Sequence, residues 1–293
     1  MESFKEKMKH LILSLLKKVL RKGNSLSSKI DALAVFLHKI YENQDSNFHR
    51  NGEYNVLKKL SEKQKCNNVI IDVGANKGDW SRLARKFFPH AIIHSFEIVP
   101  QTFRILVDNL GHISNIECYN IGLSDKEETT SVFFSPDDDE LATCMPDFIE
   151  RYHKVKPQSI EAKVTTGDKF CACNGIELVD FLKIDAEGFD HKVMQGFEGM
   201  LKQGQIKVIQ FEYGHFSIDT HFLLKDFYDY LTAFNFRVGK IYPSYVDLRE
   251  YQYNDENFYG LNYLAVHSSC KFIDDLLSLF LLNFVTYLSL TIV

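Results

Sequence analysis

The pattern of apolar and polar positions changes character three times along the chain. In the first 22 residues Phe4, Met8, Leu11, Ile12, Leu15, Leu16, Val19 and Leu20 share one helical stripe, with lysines elsewhere. That spacing predicts a basic amphipathic helix. Its longest apolar run, Leu11 to Leu16, contains Ser14 and is too short for a secretion signal. Gly23-Asn24-Ser25 ends it, and a second helix is predicted from Lys29 to Glu42. Asn51-Gly52 then marks a turn into the main domain.

From Asn68 the pattern becomes strands alternating with helices. Val69-Ile70-Ile71 is a β-branched run that stops at Asp72-Val73-Gly74-Ala75-Asn76-Lys77-Gly78, and a helix follows from Asp79 to Phe88. Ala91 to Phe96 is a second strand ending in Glu97. A helix from Pro100 to Leu110 leads to a third strand at Ile116 to Tyr119. Residues 124–165 are polar and acidic, with Asp137-Asp138-Asp139-Glu140, and read as a long loop or insertion. A fourth strand, Val179 to Ile184, ends at Asp185-Ala186-Glu187-Gly188. A fifth, Val208 to Phe211, ends at Glu212-Tyr213-Gly214-His215. A helix over Leu223 to Phe234 and strands at Arg237 to Tyr242 and Leu261 to His267 complete the core. Such alternation implies a parallel sheet covered on both faces, with ligands beyond the carboxyl ends of its strands.

The last 18 residues, 276–293, carry no charge, which reaches the lower limit for a membrane span. Polar residues such as Ser278, Asn283 and Thr286 dilute the run, so a packing element is the stronger expectation.

Charge sharpens the division. Residues 1–22 hold seven basic and two acidic residues, a net of +5. The chain as a whole has −5, so residues 23–293 carry −10. A body that acidic lacks the phosphate-neutralising footprint of a nucleic-acid partner. The basic helix suits an anionic membrane surface, or equally packing against the domain or a second subunit. Of six cysteines only Cys171-Ala172-Cys173 are close-set, and that gap does not match common zinc knuckles. Reduced thiols in a cytoplasmic setting are the expectation, with peripheral or tail attachment to a membrane as the variant.

The central chemical signal is Asp72-x-Gly74-x-Asn76-x-Gly78, a glycine-rich turn between strand and helix that lets a ligand approach the backbone. A dinucleotide fold wants Gly-x-Gly-x-x-Gly after an apolar strand end. Here Asn76 interrupts that pattern and Asp72 stands two residues before the first glycine. A carboxylate there repels a pyrophosphate and suits the ammonium and sulfonium of S-adenosylmethionine. Glu97, 23 residues after Gly74, is placed to accept both ribose hydroxyls.

These residues, together with Gly122-Leu123-Ser124-Asp125, Leu182-Lys183-Ile184-Asp185-Ala186-Glu187-Gly188 and Phe211-Glu212, resemble the successive motifs of FkbM-type methyltransferases. Asn51-Gly52-Glu53 and Asn262-Tyr263-Leu264 are similar to the family's edges, so the resemblance covers roughly residues 51–268. Ile98 and Gly122 depart from the family, which more often has Pro and Ala there. The resemblance implies a class I methyltransferase fold: a Rossmann-like, doubly wound α/β sheet of seven strands, the last antiparallel. An N-terminal helical extension (1–50) and an apolar tail (269–293) would flank it. It also implies methylation of a sugar or polyketide hydroxyl, with Gly122 joining Asp72, Gly74, Asn76, Gly78, Glu97 and Asp185 around the cofactor.

Methyl transfer from a sulfonium is an in-line displacement, so alignment is the main task, and a poor hydroxyl nucleophile adds the need for a base. Asp185, at the end of the fourth strand, is the first candidate; Glu212 ends the fifth strand beside it, and His215 follows on its loop. Asp185 with Glu212 is also an alternative oxygen pair for Mg²⁺. Lys183 shares a strand face with Asp185 and is expected to pair with it, while Glu187 fits a helix cap. The leading expectation is an S-adenosylmethionine-dependent O-methyltransferase acting on a glycan or other small-molecule hydroxyl. The alternatives are a membrane-associated nucleotide-binding module without turnover and an NAD-dependent dehydrogenase. Amino-methylation of DNA bases lacks its Asn/Asp-Pro-Pro-aromatic motif.

Overall fold

The computed structural model describes residues 4–20, 25–63, 69–135, 138–150 and 154–271. The apolar run 276–293 lies outside these residues. The chain divides into two units, Met1–Gln44 and Asp45–Val293. The first holds α1 (Phe4–Val19) and α2 (Ser25–Tyr41). On α1, Met8, Leu11, Ile12, Leu15 and Leu16 are exposed; on α2, Ile30, Leu33, Phe36, Leu37 and Ile40 are exposed too.

The second unit begins with α3 (Glu53–Lys63) and β1 (Val69–Val73), then α4 (Asp79–Phe87), β2 (Ile92–Phe96), α5 (Pro100–Leu110) and β3 (Ile116–Tyr119). Next come β4 (Gly122–Leu123), β5 (Glu128–Ser135), β6 (Asp138–Thr143), α6 (Pro146–Phe148), β7 (Gln158–Thr165) and α7 (Gly167–Cys173). The chain continues through β8 (Phe181–Ile184), α8 (Asp190–Gln195), α9 (Glu198–Lys202), β9 (Val208–Glu212), α10 (Phe216–Thr220) and α11 (Leu224–Ala233). It closes with β10 (Phe236–Ile241), β11 (Val246–Leu248) and β12 (Asn262–His267).

The main sheet has the order β11-β10-β12-β9-β8-β1-β2-β3. β3, β2, β1, β8 and β9 run parallel, and β12 inserts antiparallel between β9 and β10. This is the class I methyltransferase arrangement, with β11 added as an antiparallel edge strand. The central strands are apolar runs because both faces are covered. Leu57 and Leu60 of α3, Leu83 of α4 and Leu106 of α5 pack with Ile70, Phe181, Val208 and Leu264 on one face. Met194 of α8, Leu201 of α9 and Phe227 of α11 pack with Ile71, Leu182, Ile209 and Phe211 on the other.

Of the two alternatives for residues 124–165, a loop or an insertion, the loop is overturned. Residues 124–165 are not mainly loop: they supply most of a second sheet, ordered β4-β7-β5-β6. β5 pairs antiparallel with both β6 and β7 over the acidic stretch that the composition assigned to a loop. Its strands carry charged or hydroxyl residues at alternate positions, as in Gln158-Ser-Ile-Glu-Ala-Lys-Val-Thr165, because one face is wet. Only the inner face is buried, through Val132 and Phe134.

Candidate active site

Cross-strand register aligns Ser95, Asp72, Lys183 and Gln210 in one row across β2, β1, β8 and β9. Alternation then puts the residues two positions further on, among them Gly74, Asp185 and Glu212, on the same face one step nearer the strand ends. The row is a buried polar layer within an apolar sheet, and every member needs a partner there. Ser81 donates to Asp72 Oδ2 at 2.6 Å and shares a 2.7 Å hydrogen bond with Ser95. Lys183 Nζ stands 3.4 Å from Asp72 Oδ1 and donates to Asp185 Oδ2 at 3.1 Å. Burial works against the lysine charge, yet Asp185, Asp72 and Glu53 outweigh it and hold the ammonium well above its ordinary range. The expected Lys183–Asp185 pair is therefore present, and the lysine is permanently charged.

Above this layer lies a cavity of about 870 Å³. That is within the range of roughly 300–1,000 Å³ for small-molecule sites. Gly74, Asn76, Glu97, Gly122, Asp185, Glu212 and His215 all line it, so seven of the sequence candidates converge. Two do not. Asp72 has no exposed surface and lies beneath the cavity, reaching it only through Lys183. Gly78, at φ +90, is the N-cap of α4 and stands outside the wall. Its missing side chain makes room for Leu106 and Leu110 of α5.

The turn after β1 is tied to β2: Gly74 and Ala75 both donate backbone N–H groups to the Phe96 carbonyl, at 3.0 and 2.8 Å. Gly74 has φ +78, and a Cβ there would sit 1.9 Å from the Asp185 carbonyl oxygen. No other residue fits. Glu97 accepts from Asn76 N at 3.0 Å and from Val99 N at 2.8 Å. Its side chain is thereby fixed, and a carboxylate retains lone pairs for a diol. Burial first, then Asp185 and Asp72, push this carboxyl up to about 7 against the backbone donors. At Gly122 a Cβ would meet Ile98 Cδ1 at 2.6 Å, so the two departures from the family pattern touch each other.

At the other end Glu212, half-buried, closes β9 and lines the cavity. Burial, then the charges of Asp185, Glu187 and Asp190, raise its carboxyl well above the usual range. Asp190, missed by the sequence reading, accepts from Glu212 N at 2.9 Å and Ala186 N at 3.2 Å, so it stitches together the two strand ends that present Asp185 and Glu212. Burial pushes it up to about 7 as well. His215 caps α10 with its ring edge-on to Tyr259 at 5.7 Å. The roof is the second sheet, through Glu128, Thr130 and Val132 of β5 and Ala142 and Thr143 of β6. Thr143 Oγ1 donates to the Glu187 carbonyl at 2.9 Å, joining roof to floor. Glu187 itself lines the cavity in a left-handed conformation, φ +47, rather than capping a helix.

The alternative use of Asp185 and Glu212 as an Mg²⁺ pair does not fit. Among the described residues no three His, Cys, Asp or Glu side chains are placed to hold a metal ion. Among the described residues no helix is long and apolar enough to cross a membrane.

The chain is similar to several known methyltransferases. Methyltransferase sdnD of Sordaria araneosa is 25% identical over 161 residues, covering 45% of this chain and 61% of that one. The hexuronic acid methyltransferase AglP of Haloferax volcanii is 25% identical over 165 residues, covering 56% and 64%. The chain thus spans less than two thirds of either relative. Among solved structures, the plantazolicin methyltransferase BpumL in complex with SAH aligns over 90% of this chain and 98% of its own, at 12% identity and a TM-score of 0.41. The methyltransferase FkbM domain model matches residues 72–238, more than half the chain, from the Asp72 turn to β10. The chain belongs to the FkbM methyltransferase domain family.

Proposed function

We propose that the protein is an S-adenosylmethionine-dependent O-methyltransferase acting on a hydroxyl of a glycan or other polyhydroxylated acceptor. The observation that carries this reading is the placement of Asp185, ion-paired to a buried lysine and midway along the cavity floor. Strands lie about 4.8 Å apart, so Glu97 at the end of β2 and Asp185 at the end of β8 are separated by about 10 Å. Glu97 would bind the ribose of S-adenosylmethionine and the Gly74–Lys77 turn its amino-acid portion, and the sulfonium would supply the methyl group on the Asp185 side. Asp185 accepts the proton of the acceptor hydroxyl as the carbon–oxygen bond forms and the carbon–sulfur bond breaks. Lys183 holds that carboxylate in place, and Glu212, its carboxyl raised well above the usual range by burial and neighbouring carboxylates, lines the cavity beside it. His215 lines the far wall, where the acceptor enters. The name of AglP, a hexuronic acid methyltransferase, supports a polyhydroxylated acceptor.

Calorimetry with S-adenosylmethionine, S-adenosylhomocysteine and NAD tests the cofactor, and preference for NAD would overturn the reading. Labelled methyl transfer to fractionated glycans, read by mass spectrometry, tests the acceptor class.

The exposed stripe of α1, flanked by Lys7, Lys9, Lys17 and Lys18, supports peripheral attachment to an anionic membrane surface from the cytoplasmic side. Apolar burial and charge attraction add at such a surface.

A further inference from the structure

Three side chains at the β12 end of the cavity are not used by the mechanism above. Glu53 opens α3, Gln210 lies in the buried polar row, and Asn262 opens β12 directly opposite Glu212. Gln210 Nε2 donates to Glu53 Oε2 at 2.6 Å and to Asn262 Oδ1 at 3.1 Å. Asn51 Nδ2 donates to Glu53 Oε1 at 2.6 Å, so the carboxylate is held at both oxygens. Glu53 is 5% and Asn262 7% exposed, and both line the cavity. Gln210 is 1% exposed and does not, so it braces the other two from behind.

This bracing fixes what the pair offers. Asn262 Oδ1 is occupied by Gln210, which leaves its Nδ2 donor without a partner among the described residues. Glu53 retains acceptor capacity beyond its two hydrogen bonds. One amide nitrogen touches both groups, so a donor and an acceptor stand side by side on a rigid support. Asn262 Nδ2 retains accessible surface, so a hydroxyl that accepts from it takes the place of water on a fixed support. The position excludes the ribose. β12 stands four strand spacings from β2, about 19 Å, with Asp185 near the midpoint. The pair therefore lies on the acceptor side of the base.

We propose that Glu53 and Asn262 form the acceptor subsite, binding two neighbouring hydroxyls of a sugar ring, one donating to Glu53 and one accepting from Asn262 Nδ2. This rests on the O-methyltransferase reading. It assigns to the N-terminal edge of the domain and to the antiparallel strand a task separate from cofactor binding.

The test uses the full chain loaded with S-adenosylhomocysteine, with methyl glucopyranoside and glucuronate as probes in saturation-transfer NMR. Wild type is expected to transfer saturation to ring protons of at least one probe. Asn262→Ala and Glu53→Gln should each weaken that probe's affinity about tenfold, the scale of one lost hydrogen bond. Their S-adenosylhomocysteine Kd should stay within about twofold and their thermal melts should show a single transition. Asn262→Ser, which keeps a small donor, should recover part of the affinity. Failure of wild type to bind S-adenosylhomocysteine would remove the methyltransferase reading itself. Cofactor binding without saturation of either probe would overturn the subsite alone. So would probe affinity unchanged in the variants, or a tenfold loss of S-adenosylhomocysteine affinity in Asn262→Ala, which would place the pair against the cofactor.

Discussion

The absent side chain of Gly74 and the backbone carbonyl of Asp185 occupy the same space: a Cβ on the first would lie 1.9 Å from the second. The glycine turn after β1 and the strand end that carries Asp185 are thus in direct contact. Gly74→Ala must move one of them, and it must also hold alanine at φ +78. We expect a loss of about 2–4 kcal/mol in stability from strain and overpacking. S-adenosylmethionine binding should disappear before the fold does. Calorimetry alongside a thermal melt checks both.

Asp185→Asn should lower kcat far more than it changes cofactor affinity. The amide keeps the size of the carboxylate but cannot take the proton. It also leaves Lys183 paired with Asp72 alone, so some loss of stability should accompany the change. Activity should be insensitive to chelators, because among the described residues no third ligand stands beside Asp185 and Glu212. Single-turnover rates with and without chelator decide the matter, and turnover that survives Asp185→Asn would move the base to His215.

Glu97 ties ligand binding to pH. Its folded carboxyl titrates at about 7 against an ordinary 4.5. A raised acid contributes stability that is complete below the unfolded value and is lost as pH rises through the folded one. The ligand-free protein should therefore lose stability from this group between about pH 4.5 and 7. Glu97→Gln does not titrate, so its melting temperature should gain on wild type across that window. Cofactor affinity should follow the opposite course in wild type, rising toward pH 7 as the ribose acceptor ionises. Glu97→Ala should weaken binding by roughly 1–3 kcal/mol at neutral pH, the scale of leaving hydroxyls unpaired.

The two units should separate location from chemistry. Full-length protein is expected to co-sediment with anionic vesicles at low salt and less so at high salt, because lysine attraction is screened. A chain of residues 24–270, lacking α1 and the apolar run at 276–293, should stay in the supernatant and still bind cofactor. Full-length protein in the supernatant at low salt would show that α1 docks elsewhere.

Much of this fold was legible because each parallel strand stops abruptly. Asp72-Val-Gly, Phe96-Glu97 and Ile184-Asp185 announce a strand end and its chemistry in adjacent letters. The pairing of Lys183 with Asp185 could be read from their two-residue spacing alone. Gln210 could not: it sits inside an apolar strand, and its partner Glu53 lies 157 residues earlier. Asp72 was read as facing a ligand because the sequence shows its neighbours but not the serine nine positions on that buries it. Asn51, Glu53 and Asn262 were visible as family edges with no task attached, since the task exists only where α3 and β12 meet. The second sheet was hidden for another reason. A strand wet on one face has the composition of a loop, and Glu128-Thr-Thr-Ser-Val-Phe-Phe-Ser135 differs from one only in which alternate positions turn inward.

The roof described above comes almost entirely from one contiguous stretch of chain between β3 and α7, whereas the floor is assembled from strand ends scattered over the whole domain. The shape of the cavity above Asp185 can therefore be altered by changes within a single segment, leaving the strand ends of the floor in place. Exchanging residues 124–165 between relatives is the engineering form of such a change, with Thr143 as the join at which a foreign roof must be fitted to the floor.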